Sequence, residues 1–163
     1  MSALSAFRRI HGEPTWDDMV TGHDFGFLEH AEIQAWTSGE GPAAARLRGL
    51  QGEALRTFEA HLWAACAEAV GKTPRPGSAR WSQSQDRWRE ALLREALATE
   101  TTASHLAQRV ERLYEQVGCP EDMLTMLSPS RAWSGTPATV DPAAVQRFLD
   151  RSREGSRRYG AAS

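Results

Sequence analysis

Three short stretches of the 163-residue sequence hold residue types that could do chemistry. "VGKTP", Val70 to Pro74, ends like a phosphate-binding loop, in which a glycine-rich turn cradles phosphates with backbone amides and a lysine reaches the outer ones. That loop needs a glycine five residues before Gly71, and Cys66 stands there, inside a stretch that reads as helix. A helix stop followed by a proline loop accounts for the match. His11, His23 and His30 share a neighbourhood with many carboxylates and suggest zinc. No HExxH and no ligand pair at helical i, i+4 spacing is present, and His23 and His30 lie on either side of a turn, so no metal ligand is assigned. Asp17 and Asp18 suggest general acid and base work, but adjacent helical side chains point about 100° apart and cannot jointly clamp one substrate. Helix capping explains them. With no GxSxG elbow and no thiol-enzyme signature around Cys66 or Cys119, no catalytic residue and no cofactor are assigned, and an enzyme is not expected.

Charge is more informative than any of these motifs. "GEPTWDDMVTGHDFGFLEH", Gly12 to His30, opens a region in which no lysine or arginine occurs between Ile10 and Ala45, while Glu13, Asp17, Asp18, Asp24, Glu29, Glu32 and Glu40 do. The region carries minus 7 and the rest of the chain plus 5, so the formal net charge of -2 hides a polarised molecule. Two short helices about a glycine turn, Thr15 to Trp36, imitate a DNA-reading helix-turn-helix, yet with the wrong sign: approach to phosphates needs cations that displace counterions. The arginines near the end, Arg147, Arg151, Arg153, Arg157 and Arg158, read as a solvated helix face, and nucleic acid is not the expected partner. What an acidic surface suits is a basic protein, because opposite potentials accelerate encounter and fix orientation. Trp133, beside Arg131 in a loop, is the tryptophan least expected in a core and the candidate apolar anchor.

The elements that must position these residues are helical. Apolar positions recur at steps of three and four, and no Asn-Gly or Asp-Gly hairpin signal is present. The first helix is expected to start at Thr15, with Asp18 completing a short-armed capping box and Gly26 supplying a left-handed stop. A second short helix, about Glu29 to Thr37, buries Leu28, Ile33 and Trp36. Leu47, Leu50, Ala54, Phe58, Leu62, Ala65 and Ala69 describe one long helix of about 25 residues, stopped by Gly71. After the loop Lys72 to Ala79, two further helices carry Trp81, Trp88, Leu92 and Ala96, then Leu106, Val110, Leu113 and Val117, the latter ended by Gly118. Pro120 opens a short helix, Ser128 to Pro137 is a loop, and Asp141 with Pro142 launches the last helix with Val145, Phe148 and Leu149 inward. The expectation is an all-α, single-domain bundle of about six to seven helices over residues 1–152, a short N-terminal helical hairpin packed on three longer helices, with a flexible basic tail over 153–163.

Bulk composition bounds the class. A chain that is 40% hydrophobic and 25% charged is an ordinary globular protein, without the run of about 18 apolar residues that a membrane span needs. The N-terminus "MSALSAFRRIHG" has no signal-peptide core, and two cysteines make no disulfide framework, so a cytoplasmic protein is expected. Arginine in place of lysine, Lys72 being the sole exception, and abundant alanine point to a high-GC bacterial genome.

Three segments, "PTWDDMVTGHDFGFLEHAEIQAW", "DRWREALLREAL" and "VERLYEQVGCPEDMLTMLSPSRAW", together resemble a bacterial family of small all-helical proteins of uncharacterised function, whose members look like immunity proteins encoded beside polymorphic toxins. The likeness spans Pro14 to about Trp133 and is a pattern of apolar residues and glycines. It implies an inhibitor that neutralises a cognate protein toxin by stoichiometric binding and needs no catalytic residue. A toxin that attacks nucleic acid carries a basic cleft, which an acidic helix pair can occupy as a mimic of backbone charge. The toxin-facing residues are then Asp17, Asp18, Asp24, Glu29 and Glu32, supported by Thr15 and Gly26, with Trp133 as anchor. The alternative is a non-enzymatic helical adaptor or scaffold in a larger assembly. Oligomeric state stays open, since an apolar stripe faces its own core or a second copy equally well.

Overall fold

A computed structural model describes residues 1–127 and 139–160, the side chains of 156–160 excepted. Every regular element among the described residues is helical: α1 Ala3–His11, α2 Trp16–Asp24, α3 His30–Trp36, α4 Pro42–Gly49, α5 Phe58–Val70, α6 Ala79–Thr99, α7 Ala103–Gln116 and α8 Pro142–Gly160, with 3₁₀ helices at Gly52–Thr57 and Glu121–Thr125. The chain divides into two compact units, Met1–Trp88 and Arg89–Ser163, the division falling inside α6.

The first unit is organised around Trp88. Its ring is fully buried, lies 4.5 Å from Phe7 and 5.5 Å from Phe27 between centroids, and donates its Nε1 hydrogen to the carbonyl of Asp18 at 2.9 Å. Gly22 explains how α2 comes this close to the indole. A methyl group at Gly22 would stand 2.6 Å from Trp88 Cζ2 and 2.8 Å from Leu28 Cδ1, so only a residue without a side chain fits. Met19 and Val20 fill the same core from α2, and Phe58, Leu62 and Ala65 fill it from α5. The turn between α2 and α3 has its left-handed glycine at Gly26, φ 73°, and is braced by the edge-on contact of Trp16 with Trp36 at 4.8 Å.

Side chains from neighbouring elements satisfy the helix ends of this unit. Glu68 of α5 accepts hydrogen bonds from the amides of Ala43 and Ala44, which have no partner within α4, at 3.1 and 3.2 Å. Gln34 of α3 donates to the carbonyls of Leu47 and Leu50 at the other end of α4, at 3.0 and 2.9 Å.

The second unit packs α7 and α8 with the C-terminal part of α6. Leu93 and Ala96, Leu106, Val110 and Leu113, and Val145, Phe148 and Leu149 are its buried stripes, with Met123 from the second 3₁₀ helix and Met126 just after it. Several of its charged groups are paired: Arg89 with Asp122 at 2.8 Å, Arg109 with Glu95 at 3.0 Å and Glu100 at 3.2 Å, and Arg94 with Glu90 at 2.9 Å. Arg153 approaches Glu90 at 3.4 Å and Arg151 donates to Thr125 Oγ1 at 3.1 Å, so part of the basic C-terminal face is used within the unit.

Fold class, the Thr15 capping box and the stops at Gly71 and Gly118 agree with the sequence reading. The helix tally does not: there are eight α-helices among the described residues rather than six or seven. One was missed. Residues 3–11 form α1 ahead of Thr15, capped by the Ser2 hydroxyl, which accepts from the Ser5 amide, and buried through Leu4, Ala6 and Phe7. The stretch Leu47 to Ala69 is not the single helix that its spacing predicts. It is α4, a 3₁₀ helix and α5, because Gly49 and Gly52 interrupt the run, Gly52 takes φ 57°, and Ala54 of the supposed apolar stripe is exposed. At the far end α8 continues to Gly160, beyond the last apolar position at Leu149.

Candidate functional site

The acidic residues of the opening region part into two groups. Asp18 is 1% exposed and works inside the fold. Its Oδ2 accepts from the amide and hydroxyl of Thr15 at 2.8 and 2.9 Å and from Arg87 Nη1 at 2.7 Å, and its Oδ1 accepts from the Ser84 hydroxyl at 2.6 Å. Ser84 lies 2.7 Å from the hydroxyl of Thr21, so one carboxylate organises a buried polar network joining α2 to α6. No partner can reach it. Its expected place on a binding surface is therefore corrected: capping turns the side chain back over the first turn, where α6 covers it.

Asp17 is partly exposed but engaged. Arg80 grips both its oxygens, Nε donating at 2.8 Å, and passes a further hydrogen to the Lys72 carbonyl at 3.0 Å. A fork matched to a carboxylate in this way is a strong fixed contact, and Asp17 serves to hold the loop after α5. Asp24 and Glu29 are exposed and Glu32 is half-buried. None of the three makes an ion pair among the described residues, and Glu32 Oε2 accepts from the Glu29 amide at 3.0 Å. Trp133 lies outside the described residues.

Behind Asp24 stands a feature that spacing did not reveal. His23 and His30 meet across the turn, Nε2 to Nε2 at 3.4 Å, and His30 stacks on Phe58 at 4.0 Å and 16°. Burial lowers the His23 pKa below its ordinary value and the facing His30 lowers it further, whereas Glu59 and Asp24 pull the other way. Glu59 of α5 thus joins Asp24 at this corner. The sequence signal was slight, since seven residues separate the two histidines and only the geometry of the Gly26 turn brings them face to face.

Beside this corner runs a groove of about 1060 Å³, walled by α2, α5, the loop 71–78 and the start of α6. Val20, Trp63, Ala67, Pro74, Pro76 and Trp81 give it an apolar surface, and Asp24, Glu59, Lys72, Arg75 and Arg80 give it charge. Cys66, under the loop, is buried and its thiol is pushed up to about 11, mainly by desolvation; it stays protonated and weakly nucleophilic at neutral pH. Among the described residues no three His, Cys, Asp or Glu side chains group so as to hold a metal ion, and no helix is long and apolar enough to cross a membrane. What the site offers is recognition, through exposed carboxylates, an aromatic surface and two cations, Lys72 and Arg75, that make no ion pair among the described residues. Comparison with protein-family models, with curated proteins and with solved structures gives no match.

Proposed function

We propose that this chain is an immunity-type inhibitor, acting in the bacterial cytoplasm, that neutralises a cognate basic protein toxin by stoichiometric binding. The observation that carries the proposal is the cation-free region from Ile10 to Ala45, in which Asp24, Glu29 and Glu32 have no internal counter-ion among the described residues. Such charges create a local negative potential that speeds capture of a positively charged surface and orients it. Asp17 and Asp18 support the face from within, by fixing the loop and the α2 cap, and Glu59 extends it from α5. The resemblance of Pro14 to Trp133 to immunity-like proteins favours the same reading.

The test is co-expression with candidate toxins encoded by neighbouring genes. Protection is expected with the intact chain and reduced protection with Asp24→Lys, Glu29→Lys and Glu32→Lys combined. Equal killing with and without the protein, across all neighbouring candidates, would end the proposal.

A further inference from the structure

We propose that the groove of the first unit is a docking site for an extended peptide segment of a protein partner, one in which a large apolar side chain stands between a basic and an acidic residue. The partner's identity as a toxin rests on the inhibitor reading above; the chemistry of the segment rests on the groove alone.

Size and surface come first. At about 1060 Å³ the groove lies at the upper edge of the roughly 300–1,000 Å³ common for small-molecule sites, with room for several consecutive side chains. Trp63 is 46% exposed on its wall. Leaving an indole in water is unfavourable, and tryptophan in a concave surface is the residue most often found anchoring an interface.

The loop wall is fixed before anything binds. Thr73 donates its hydroxyl hydrogen to the Trp63 carbonyl at 3.1 Å, Arg80 ties the Lys72 carbonyl to Asp17, and Pro74 is buried. Pro76 stiffens the backbone further. A pre-formed wall reduces the ordering cost that association otherwise carries.

Charge then selects the occupant. Asp24 and Glu59 come from the helices, Lys72 and Arg75 from the loop, and none of the four makes an ion pair among the described residues. Arg80 is already taken up by Asp17. A ligand of one sign, such as a fatty acid or a run of phosphates, meets like charge on one side of this groove. A peptide carrying both signs, spaced by an apolar residue, satisfies both sides and covers Trp63.

Selection of phage-displayed random dodecapeptides on the full-length protein tests the proposal, with parallel selections on Trp63→Ser, on Asp24→Asn with Glu59→Gln, and on Lys72→Gln with Arg75→Gln. Circular dichroism verifies the fold of each variant, all of whose changes are at solvent-accessible positions. The expected result is enrichment of segments with an apolar residue flanked by both charges, bound at least about tenfold more weakly by Trp63→Ser. The carboxylate variant should relax the requirement for the basic residue and the cation variant that for the acidic one. Peptides that lack either charge, that bind Trp63→Ser equally well, or that fail to enrich at all overturn the proposal. Enrichment without protection in co-expression keeps the groove and removes the toxin; protection unaffected by Trp63→Ser, with no peptides selected, does the reverse.

Discussion

Asp18 and Arg87 form a pair in which only one partner meets water: the carboxylate is 1% exposed and the guanidinium 2.7 Å away keeps 30%. Truncating the buried partner takes the carboxylate acceptor from the Thr15 and Ser84 hydroxyls and removes one half of the α2 capping box, the Thr15 hydroxyl still capping the amide of residue 18, while Arg87 can still turn to solvent. Asp18→Ala is therefore expected to cost about 2 kcal/mol, from the lost half of the cap and the hydroxyls left without their acceptor, since no charge is left buried. Urea unfolding checks this, and a loss below about 1 kcal/mol would show that the network contributes little.

Gly22 bears on Trp88 by close approach. Gly22→Ala gains up to about 1 kcal/mol of helix propensity but forces a methyl group into the indole, an overpacking cost of about 1–3 kcal/mol. Net destabilisation is expected, and the penalty should shrink when Trp88→Phe makes room. A double-mutant cycle by urea denaturation measures the coupling; strictly additive effects would contradict the packing account.

For His23 the sign follows from its lowered native pKa. Below pH 6.5 the unfolded chain takes up a proton that the native site resists, so this contribution to stability is intact above pH 6.5 and is lost as pH falls through the native pKa. The slope from one such group cannot exceed about 1.4 kcal/mol per pH unit. Unfolding curves from pH 7.5 down to 5 should be flatter for His23→Gln than for the parent, and identical slopes would remove His23 as the cause.

The two groups of carboxylates should separate by experiment. Asp24→Lys alters an exposed charge with no ion pair among the described residues, and stability should change by no more than about 0.5 kcal/mol, whereas Glu29→Lys puts a cation at the N-cap of α3 and should cost about 1 kcal/mol. Association with a basic partner, by contrast, should slow and become less sensitive to salt. Stopped-flow binding at two ionic strengths decides it; unchanged rates would rule out electrostatic steering by this face.

The thiols differ in the same legible way. Cys119 is exposed and Cys66 buried with its pKa raised, so iodoacetamide at neutral pH should alkylate Cys119 alone in the native protein and both thiols in urea. Mass spectrometry of the native reaction reads the outcome, and rapid labelling of Cys66 would contradict its burial.

Local rules were enough for what local forces decide. Thr15 and Asp18 three positions apart in a capping box, Gly71 and Gly118 as left-handed stops, and Asp141 with Pro142 as a helix start were legible because each rests on contacts within one turn of chain. Apolar spacing likewise showed which of Leu106, Val110, Leu113, Val145 and Phe148 face inward. Where two glycines lay within an apolar run, between Leu47 and Phe58, periodicity alone overran the break.

The sequence by itself determined an all-helical chain with its negative charge gathered near one end. Only the tertiary structure decided which of those charges are available, because the partners of Asp17 and Asp18 are Arg80, Ser84 and Arg87, more than sixty residues away. The same holds for the His23 and His30 contact and for the groove below Trp63, which exist only once α2, α5 and the loop after it are packed. Distant pairing consumes or frees a charge, and no local pattern records which.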